Sequence, residues 1–550
     1  MGFIGVCSSF MNKDAQRPRS SWETVQFCVK FRIFQEPLIY LPVNKRMICE
    51  KDADMQDQIS PNSERYENGI LVTPGGFREY DARWQYPGQL NLRGVTQIGQ
   101  ALGTMLRRQN VRPDIVVGHD FRAYSANIKN ALIIGLVTAG CRVRDIGLSL
   151  SPMAYFAQFA LDCPAVAMVT ASHNENGWTG IKMGMQKVLT FGPQEMAVLR
   201  DMVLKGDVES HAGGSYEYVD GIKEKYLADL AEGDGISRPL KVVAACGNGT
   251  AGAFAPPALR AVGCDVIEMD CTLDYAFPHC NPNPEDMRML RALSKKVIET
   301  GADIGFAFDG DGDRCGVVDN KGREIFADKM GLLLARDLSA RHPGAVFVVD
   351  VKSTGLYGSD DILRQNGATV KYWKTGHSYI KRHVRDSKAL GGFEKSGHFF
   401  LAPPVGRGYD DALLAAKMIC RMLDRNPGQS IADMRDALPQ TWGSPTMAPH
   451  CADEIKYDII EKVTETYRQR QKGGEKVAGA DIAALVTVNG VRIILDDGSW
   501  GLVRASSNKP SLVVVVESPV SEARMKDIFE DIDATLRRYA EVGEYDQKIA

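Results

Sequence analysis

The sequence predicts an α/β protein in which three α/β domains with mainly parallel sheets precede a C-terminal α+β domain. Between residue 77 and about residue 438, short apolar segments of strand length alternate with amphipathic segments of helical period. Such alternation is typical of parallel strands whose sheets are covered by helices on both faces. The chain has 550 residues, which at about 100–200 residues per domain allows roughly three to five domains.

The composition excludes several classes of protein. The 66 lysine and arginine residues nearly balance the 69 acidic residues, so charge gives no reason to expect a nucleic acid or an anionic membrane as partner. No apolar run approaches the roughly 20 residues of a transmembrane helix. The 12 cysteines form no C-x-x-C pair. We therefore expect no nucleic-acid, membrane or obligate protein partner, and a cytoplasmic location in which the cysteines stay reduced.

The same patterns divide the chain into an N-terminal extension and four domains. The extension lacks the alternation of strands and helices, so we expect it to be disordered or to result from a start codon placed too early. The predicted boundaries are 1–71 for the extension, 72–219 for domain 1, 220–323 for domain 2, 324–438 for domain 3 and 439–550 for domain 4.

Domains 1 to 3 contain strand and helix signals in regular order. In domain 1, a strand at 115–117 precedes a helix that Ser125 is expected to cap and Gly140 to end. A helix in domain 2 carries Leu290, Leu293 and Val297 on one face and is expected to end at Gly301. The other predicted strands are Ala165–Val169, Lys241–Ala245, Asp265–Met269, Ile304–Phe308, 345–351 and Thr369–Trp373.

Domain 4 has a different pattern. The segments 485–488 and Val491–Leu495 flank Asn489-Gly490, a pair that is typical of a two-residue type I′ hairpin turn. A strand at 511–517 and a long helix at 522–539 follow. The domain is therefore predicted to be α+β.

The segment DGDGDR at 309–314 is the clearest candidate for a metal site, and we call it the metal loop. It directly follows an apolar strand, and its glycines allow three carboxylates to converge on one point: Asp309, Asp311 and Asp313. Hard divalent cations such as Mg²⁺ prefer such oxygen ligands. An EF-hand would need glycine in place of Arg314 and glutamate in place of Asn320. Zinc is disfavoured because the loop offers no nitrogen or sulfur ligand.

A second candidate, the serine loop TASHN at 170–174, follows the predicted strand Ala165–Val169. Ser172 lies at a strand end among small and polar residues, where it is positioned for nucleophilic chemistry. It is not the nucleophile elbow of hydrolases, because Ala171 and His173 replace the glycine-containing pattern. Lys182, ten residues further on, is expected to supply a cation to the same pocket.

Two further loops carry polar groups of complementary kinds. The sugar loop, GFEKSGH at 392–398, combines a carboxylate, a hydroxyl and an imidazole, which suit vicinal sugar hydroxyls because these need donors and acceptors. The phosphate loop, RASSNKP at 504–510, offers a guanidinium, hydroxyls, an amide and loop N–H groups that suit a phosphate dianion.

These four loops together resemble the α-D-phosphohexomutase family, most closely its bacterial phosphomannomutase/phosphoglucomutase members. The resemblance runs from residue 77 to the C-terminus in the expected order. It also includes the segments FREYDAR at 77–83, CGNG at 246–249, DVK at 350–352 and WKTGHS at 373–378.

The resemblance implies three related α/β domains and a C-terminal α+β domain around a central cleft, each contributing one loop. It implies reversible interconversion of hexose 6-phosphate and hexose 1-phosphate of mannose or glucose. The cofactors implied are Mg²⁺ and a hexose 1,6-bisphosphate as activator and intermediate. Ser172 resembles the family's phosphoserine, which shares the metal with the three aspartates. The residues implied to line the reaction centre are Arg83, Lys182, Arg314, Lys352 and His377. Those implied to bind substrate are Tyr80, Glu394, Ser396, His398, Arg504, Ser506, Ser507 and Asn508.

This sequence departs from the family pattern at Phe393, where glycine is usual, and at 507–509 in the phosphate loop. A phosphoglucosamine mutase is the nearest alternative, because that enzyme also uses a Glu-x-Ser-Gly loop. A Mg²⁺-dependent phosphatase is a chemical alternative, since water could intercept the phosphoserine. A more remote alternative is an NAD(P)-dependent oxidoreductase, because residues 247–252 spell G-x-G-x-x-G after a predicted strand.

Overall fold

The strands of the four predicted domains form four separate sheets. The computed structural model describes Pro61 and residues 63–233 and 235–549. Within these residues, three sheets are mixed and the fourth is antiparallel. The predicted fold class is therefore confirmed. No helix in the described part of the chain is both long and apolar enough to cross a membrane.

Domain 1 contains six strands and four long helices, preceded by the short helix α1 (Glu64–Asn68). The strands are β1 (Arg83–Gln85), β2 (Asp114–His119), β3 (Arg142–Leu148), β4 (Ala165–Val169), β5 (Trp178–Gly184) and β6 (Ser215–Tyr218). The helices are α2 (Leu92–Arg108), α3 (Ser125–Thr138), α4 (Ser151–Ala160) and α5 (Pro193–Lys205). The strand order is β1-β5-β4-β2-β3-β6. Strand β5 pairs antiparallel with both β1 and β4, and the other pairs are parallel.

Domain 2 has a five-stranded sheet of order β11-β10-β9-β7-β8, in which β9, β7 and β8 are parallel. Its strands are β7 (Lys241–Ala245), β8 (Asp265–Met269), β9 (Ile304–Phe308), β10 (Cys315–Asp319) and β11 (Glu324–Ile325). Its helices are α6 (Ile222–Ala231), α7 (Ala255–Val262) and α8 (Met287–Thr300).

Domain 3 has a four-stranded sheet of order β13-β12-β14-β15, in which only β15 is antiparallel. Its strands are β12 (Val346–Asp350), β13 (Thr369–Trp373), β14 (Gly391–Phe393) and β15 (Phe399–Leu401). Its helices are α9 (Ala327–Arg341), α10 (Leu356–Ser359), α11 (Asp361–Gln365), α12 (His377–Asp386), α13 (Ala412–Arg425) and α14 (Ile431–Asp436).

Domain 4 has an antiparallel sheet of order β16-β20-β19-β18-β17 packed against two helices. Its strands are β16 (Trp442–Gly443), β17 (Ile482–Val486), β18 (Val491–Leu495), β19 (Trp500–Ala505) and β20 (Leu512–Ser518). Its helices are α15 (Lys456–Gly473) and α16 (Glu522–Leu536).

Two local predictions are wrong. Ser125 does not cap α3: it is the first helical residue, and its Oγ donates to Asp120 Oδ1 at 2.5 Å instead. The hairpin between β17 and β18 exists, but residues 487–490 separate the strands rather than a two-residue turn. Asn489 Oδ1 accepts from the Thr375 N–H of domain 3 at 3.3 Å, so a tertiary contact determines the turn.

The described end of the predicted extension contacts domain 1. Asn91 Nδ2 donates to the carbonyl oxygens of Tyr66 and Gly69 at 2.6 and 2.9 Å. The rest of the segment 1–71 lies outside the described residues. The boundaries of the extension and of the four domains therefore stay predictions.

Candidate active site

Ser172 lies on the loop that follows β4, an interior strand of the domain 1 sheet. Its φ is +51°, in the left-handed region that a residue with a Cβ adopts at a cost. Its N–H donates to Thr170 Oγ1 at 2.8 Å, and its Oγ donates to Asp309 Oδ2 at 2.8 Å. The serine is buried. The structure therefore places the predicted nucleophile directly beside the metal loop.

Two buried residues that the sequence analysis missed hold the serine loop in place. Arg122 donates to two of its carbonyl oxygens, those of Ser172 and Asn174, at 3.0 and 2.7 Å, and to that of the next residue, Glu175, at 3.1 Å. Asp120 accepts from the Ala171 N–H at 3.1 Å and pairs with Arg122 Nε at 3.2 Å. Both residues follow β2, which is parallel to β4. Because parallel strands end at the same edge of a sheet, this pairing was the signal that could have identified them.

Replacing Arg122 with alanine is expected to lower kcat by roughly 10²-fold, because a displacement of about 1 Å at a reacting group costs about that much. KM should change less, since the contacts of Arg122 are to the loop backbone. Steady-state kinetics check this split. Arg122→Lys should recover part of kcat, and Arg112→Ala, at an exposed arginine of the same domain, is the control. A raised KM with unchanged kcat would contradict the positioning role.

The metal loop turns sharply after β9. A Cβ at Gly310 would lie 2.4 Å from the Ser172 carbonyl oxygen, and Gly312 has a φ of +71°. Glycine is needed at both positions. The turn brings one oxygen from each of three buried carboxylates within 4.8 Å of the others, those of Asp309, Asp311 and Asp313.

The electrostatics of the metal loop fit a cation. Lys182 Nζ donates to Asp311 Oδ2 at 2.7 Å and also to Asp313, so one positive charge already lies against the cluster. The Oδ1 atoms of Asp311 and Asp313 are buried and have no hydrogen-bond partner among the described residues. Burial and the charges of Asp311 and Asp313 raise the pKa of Asp309 well above its usual value. A divalent cation would relieve this repulsion and would use the unpartnered oxygens.

The sugar loop connects β14 and β15. Glu394 Oε1 accepts from the Gly376 N–H at 2.5 Å, and its Oε2 lies 3.1 Å from His398 Nδ1. Ser396 Oγ lies 3.1 Å from the same nitrogen. Burial opposes both charges, yet Asp313 raises the pKa of His398 to about 9, and His398 lowers the pKa of Glu394 to about 2. The loop therefore combines an ionised acceptor, a cationic imidazole and a hydroxyl.

A contact between domains 1 and 3 brings together three of the predicted residues. His377 Nε2 lies 3.0 Å from Asp81 Oδ1, and Arg83 pairs with Asp81 Oδ2 at 3.1 Å. The ring of Tyr80 packs edge-on against His377, with 5.1 Å between the ring centroids. Burial lowers the pKa of His377, so its imidazole is neutral near pH 7. Arg83 also donates to Asn174 Oδ1 at 2.7 Å, which links this contact to the serine loop.

Arg314 and Lys352 both lie near the sugar loop. The Arg314 N–H donates to Asp309 Oδ1 at 3.2 Å, and its Nε lies 3.4 Å from His398 Nε2. Lys352 lies two residues after β12 and is buried. Its charge lowers the pKa of Glu394, although less than His398 does. Both cations therefore lie among the predicted metal and sugar ligands.

Arg504, at the end of β19, presents an unused donor. Its Nη1 donates to the Ala505 carbonyl oxygen at 2.7 Å, while its Nε is buried without a partner among the described residues. Arg504 lies near Tyr80 of domain 1, whose pKa burial raises and Arg504 partly lowers. A buried guanidinium N–H without an acceptor costs free energy unless an anion binds to it.

A lysine that the sequence analysis missed hydrogen-bonds to the backbone of the rest of the phosphate loop. Lys456 of α15 donates to the carbonyl oxygens of Ser506 and Lys509 at 2.6 and 3.1 Å. Ser506 Oγ accepts from the Asn508 and Lys509 N–H groups at 3.4 and 3.2 Å. Ser507 is half-buried and Asn508 is exposed. Within the described part of the chain, neither side chain hydrogen-bonds to another predicted site residue.

Comparison with known families agrees with this arrangement. Profiles named phosphoglucomutase/phosphomannomutase match four successive parts of the chain: alpha/beta/alpha domain I at 75–209, domain II at 216–322, domain III at 326–442 and the C-terminal domain at 454–535. The chain belongs to the phosphoglucomutase/phosphomannomutase family. It is therefore a mutase enzyme.

Individual relatives give the same result. The chain is 36% identical to a phosphomannomutase/phosphoglucomutase of Pseudomonas putida over 82% of its own length and 94% of the relative. It is 30% identical to a probable phosphoglucosamine mutase of Methanothermobacter thermautotrophicus over 82% and 95% of the two chains. The solved structure of a phosphoglucomutase/phosphomannomutase family protein from Burkholderia thailandensis matches with a TM-score of 0.76 and 29% identity, covering 86% of this chain and all of that one.

Two sequence features have structural roles in this family member. Phe393 is fully buried against Phe347, Tyr357 and Phe399, so its ring belongs to the domain 3 core rather than to the sugar loop. The G-x-G-x-x-G segment at 247–252 is packed against this chain's own backbone: a Cβ at Gly252 would lie 2.2 Å from the Cys271 carbonyl oxygen. Its last residues form a 3₁₀ turn, Thr250–Ala253, and α7 begins only at Ala255, so the glycines do not open an α-helix as a dinucleotide motif requires.

Proposed function

We propose that this enzyme interconverts hexose 6-phosphate and hexose 1-phosphate through a phosphoserine at Ser172 and a hexose 1,6-bisphosphate. The observation that carries the proposal is the contact between Ser172 Oγ and Asp309, within a cluster of three buried carboxylates. A phosphoryl group on this serine would lie among Arg314, Lys182 and the metal loop. Phosphoryl transfer needs such charge stabilisation and positioning more than it needs covalent chemistry from the protein.

We propose Mg²⁺ as the metal, with Asp309, Asp311, Asp313 and Ser172 as its protein ligands. The donor set is oxygen only, which suits Mg²⁺. When bound, the metal would stabilise the negative charge on the phosphoryl oxygens. Lys182, which lies between Asp311 and Asp313, would share that role.

The substrate hydroxyl must lose a proton when it attacks, and the serine must regain one when it leaves. Arg83, Lys352 and His377 are the candidates that the family resemblance provides. His173 joins them, because its Nδ1 lies 3.2 Å from Ser172 Oγ. Burial and nearby Arg314 lower the pKa of His173, so its imidazole is neutral and able to accept a proton.

The bisphosphate must turn end for end so that its other phosphate returns to the serine. Glu394 and Ser396 would bind sugar hydroxyls in either orientation, while Arg504 would hold the phosphate that is not reacting. Domain 4 contacts domain 1 through part-exposed pairs, Arg78 with Asp453 at 3.2 Å and Tyr457 with Glu79. Exposed pairs contribute little to stability. We propose that domain 4 moves away from domain 1 during this rotation.

Replacing Arg504 with alanine is expected to weaken substrate binding by about 2–4 kcal/mol, as for other charge-assisted contacts to phosphate. The effect should fall mainly on KM, because the guanidinium holds the distal phosphate in the ground state as well as in the transition state. Steady-state kinetics measure it, with exposed Arg538→Ala as the control. An unchanged KM would contradict the assignment of Arg504.

The sugar preference is tested by parallel kinetics with mannose 1-phosphate, glucose 1-phosphate and glucosamine 1-phosphate. We expect the first two to be substrates with the higher kcat/KM. A clear preference for glucosamine 1-phosphate would make the enzyme a phosphoglucosamine mutase, as one relative is named. Measuring released inorganic phosphate in the same reactions tests the phosphatase alternative.

We also propose a cytoplasmic location. The nine cysteines of the described chain are all free thiols and all buried, which fits a reducing compartment. Buried free thiols of this kind act as small apolar core residues.

A further inference from the structure

A second polar cavity lies at the junction of domains 2 and 3. It has a volume of about 460 Å³ and is lined by the end of α6, the loop 404–411 and part of α13. Its lining residues do not include any residue of the candidate active site. The volume is in the range of about 300–1,000 Å³ that is typical of sites for small molecules.

The charged groups of this cavity do not balance. Its lining carries four cationic side chains, those of Arg341, Arg407, Lys417 and Arg421, of which Arg341 pairs with Asp337 outside the lining at 3.0 Å. Three carboxyl groups face them, those of Asp229, Glu232 and Asp411. Two of these acids are already engaged: Asp229 pairs with Arg407, and Asp411 accepts from Tyr226 Oη at 3.0 Å. Burial raises the pKa of Asp411 to about 7, so it is only partly ionised at neutral pH.

Lys417 is the least compensated of the cations. It is 7% exposed, and its Nζ donates to the carbonyl oxygen of Glu232 at 2.7 Å. Among the described residues, no carboxylate lies within ion-pair distance of Lys417 or of Arg421. A buried ammonium with a neutral acceptor and no counter-ion is costly. Burial and the neighbouring charge of Arg421 lower the pKa of Lys417, and the more distant carboxylates of Asp229 and Glu232 only partly oppose this shift.

The spacing of two cations on helix α13 adds to the cost of burying the Lys417 charge. Lys417 and Arg421 are four residues apart, so both project from the same face of the helix. Like charges at this spacing repel each other. A third cation, Arg407, has a buried Nε without a hydrogen-bond partner in the described chain. Lys417 and Arg421 therefore line the cavity without a carboxylate at ion-pair distance among the described residues, and Arg407, which pairs with Asp229, adds one buried N–H without an acceptor.

We propose that this cavity binds a small phosphorylated dianion, with Lys417 and Arg421 as the side chains that neutralise it. The ligand is a free phosphate or the phosphate monoester of a small metabolite, because a tetrahedral dianion matches the unbalanced charge and the several N–H donors.

The loop 404–411 connects the cavity to the sugar loop of the active site. The loop 404–411 that lines it contains Asp410, which pairs with Lys381 at 2.8 Å and lies 4.0 Å from His398 Nε2 in the sugar loop. A dianion held by Lys417 and Arg421 of α13 would therefore lie beside the segment whose Asp410 contacts the sugar loop. This inference rests on the cavity alone and does not depend on the phosphoserine mechanism.

Equilibrium dialysis with radiolabelled inorganic phosphate and, separately, glycerol 3-phosphate tests the proposal. The Arg504→Ala enzyme is used, because its active-site phosphate loop is weakened. We expect this enzyme to retain one bound dianion per chain. Adding Arg421→Gln should weaken this binding by at least about tenfold, as should Lys417→Met. Arg421 is part-exposed, so its replacement should leave the fold intact.

The matched control is Arg425→Gln, which removes the same charge from the same helix at a residue that pairs with Asp337 outside the cavity. It should leave the binding unchanged. Binding of inorganic phosphate alone would support the site with free phosphate as its ligand, and binding of the ester would support a metabolite. The proposal is overturned if the Arg504→Ala enzyme binds neither anion, or if Arg421→Gln and Lys417→Met leave the binding unaltered.

Discussion

Replacing Ser172 with alanine is expected to reduce mutase turnover by on the order of 10³-fold or more, as loss of a covalent nucleophile does in other enzymes. The side chain is buried, and its Oγ donates to Asp309 at 2.8 Å. The substitution removes this hydroxyl but no apolar packing group. Substrate affinity should persist, because Glu394 and Arg504 are unchanged. A coupled assay gives kcat, and direct titration with glucose 1-phosphate gives the affinity.

A matched control for this variant is Ser149→Ala. Ser149 is also fully buried in domain 1, but it follows β3 instead of β4 and its Oγ donates to the Gly147 carbonyl oxygen at 3.3 Å. Turnover in this variant should stay close to that of the wild type. A Ser172→Ala enzyme with near-wild-type turnover would remove the phosphoserine from the mechanism.

The second large effect is expected at the metal loop. Asp311→Asn should weaken Mg²⁺ binding by at least about tenfold, because it removes one of three converging negative charges and replaces a carboxylate ligand by an amide. Turnover should fall with the loss of metal. Calorimetric titration with Mg²⁺ measures the affinity, and assays at increasing Mg²⁺ show how much activity the metal restores.

The fold of the Asp311→Asn variant needs its own check, because Asp311 Oδ2 also accepts from Ser151 Oγ at 2.5 Å and from Lys182. The thermal unfolding temperature of the variant, compared with that of the wild type, provides this check. Asp265→Asn, at an exposed residue of β8 in the same domain, is the control and should bind Mg²⁺ normally. Unchanged Mg²⁺ affinity in Asp311→Asn would contradict the assignment of this loop.

Much of the fold could be predicted from the sequence because local signals and tertiary structure agree. Strands β7, β8 and β9 have the predicted limits. The signal is clearest for β9, an apolar segment between Asp303 and Asp309. Helix α8 ends at Gly301, whose φ of +60° is the left-handed conformation that glycine favours. The metal loop was also visible, because its three carboxylates are adjacent in sequence.

Other features could not be predicted because distant residues determine them. Serine is a common helix cap, but the helix starts one residue earlier than expected, with Tyr124 at the cap position, and the Ser125 hydroxyl donates to Asp120. The turn at Asn489 adapts to Thr375 of another domain. Lys456 acts through backbone carbonyl oxygens, and such contacts leave no pattern in the sequence. Arg122 also acts through backbone carbonyl oxygens, and only its place after a strand parallel to β4 could have indicated it. The sequence therefore indicates the reactive groups better than the residues that position them.

The central claim is that Ser172 carries the phosphoryl group that is transferred to the sugar. The most direct test is mass spectrometry of the active enzyme after incubation with glucose 1,6-bisphosphate, with peptide mapping of the phosphorylation site. Phosphate on Ser172 at near one group per chain, lost on addition of glucose 6-phosphate, is the predicted result. A fully active enzyme with no phosphate on Ser172, or with phosphate on another residue that turns over with substrate, would contradict the account.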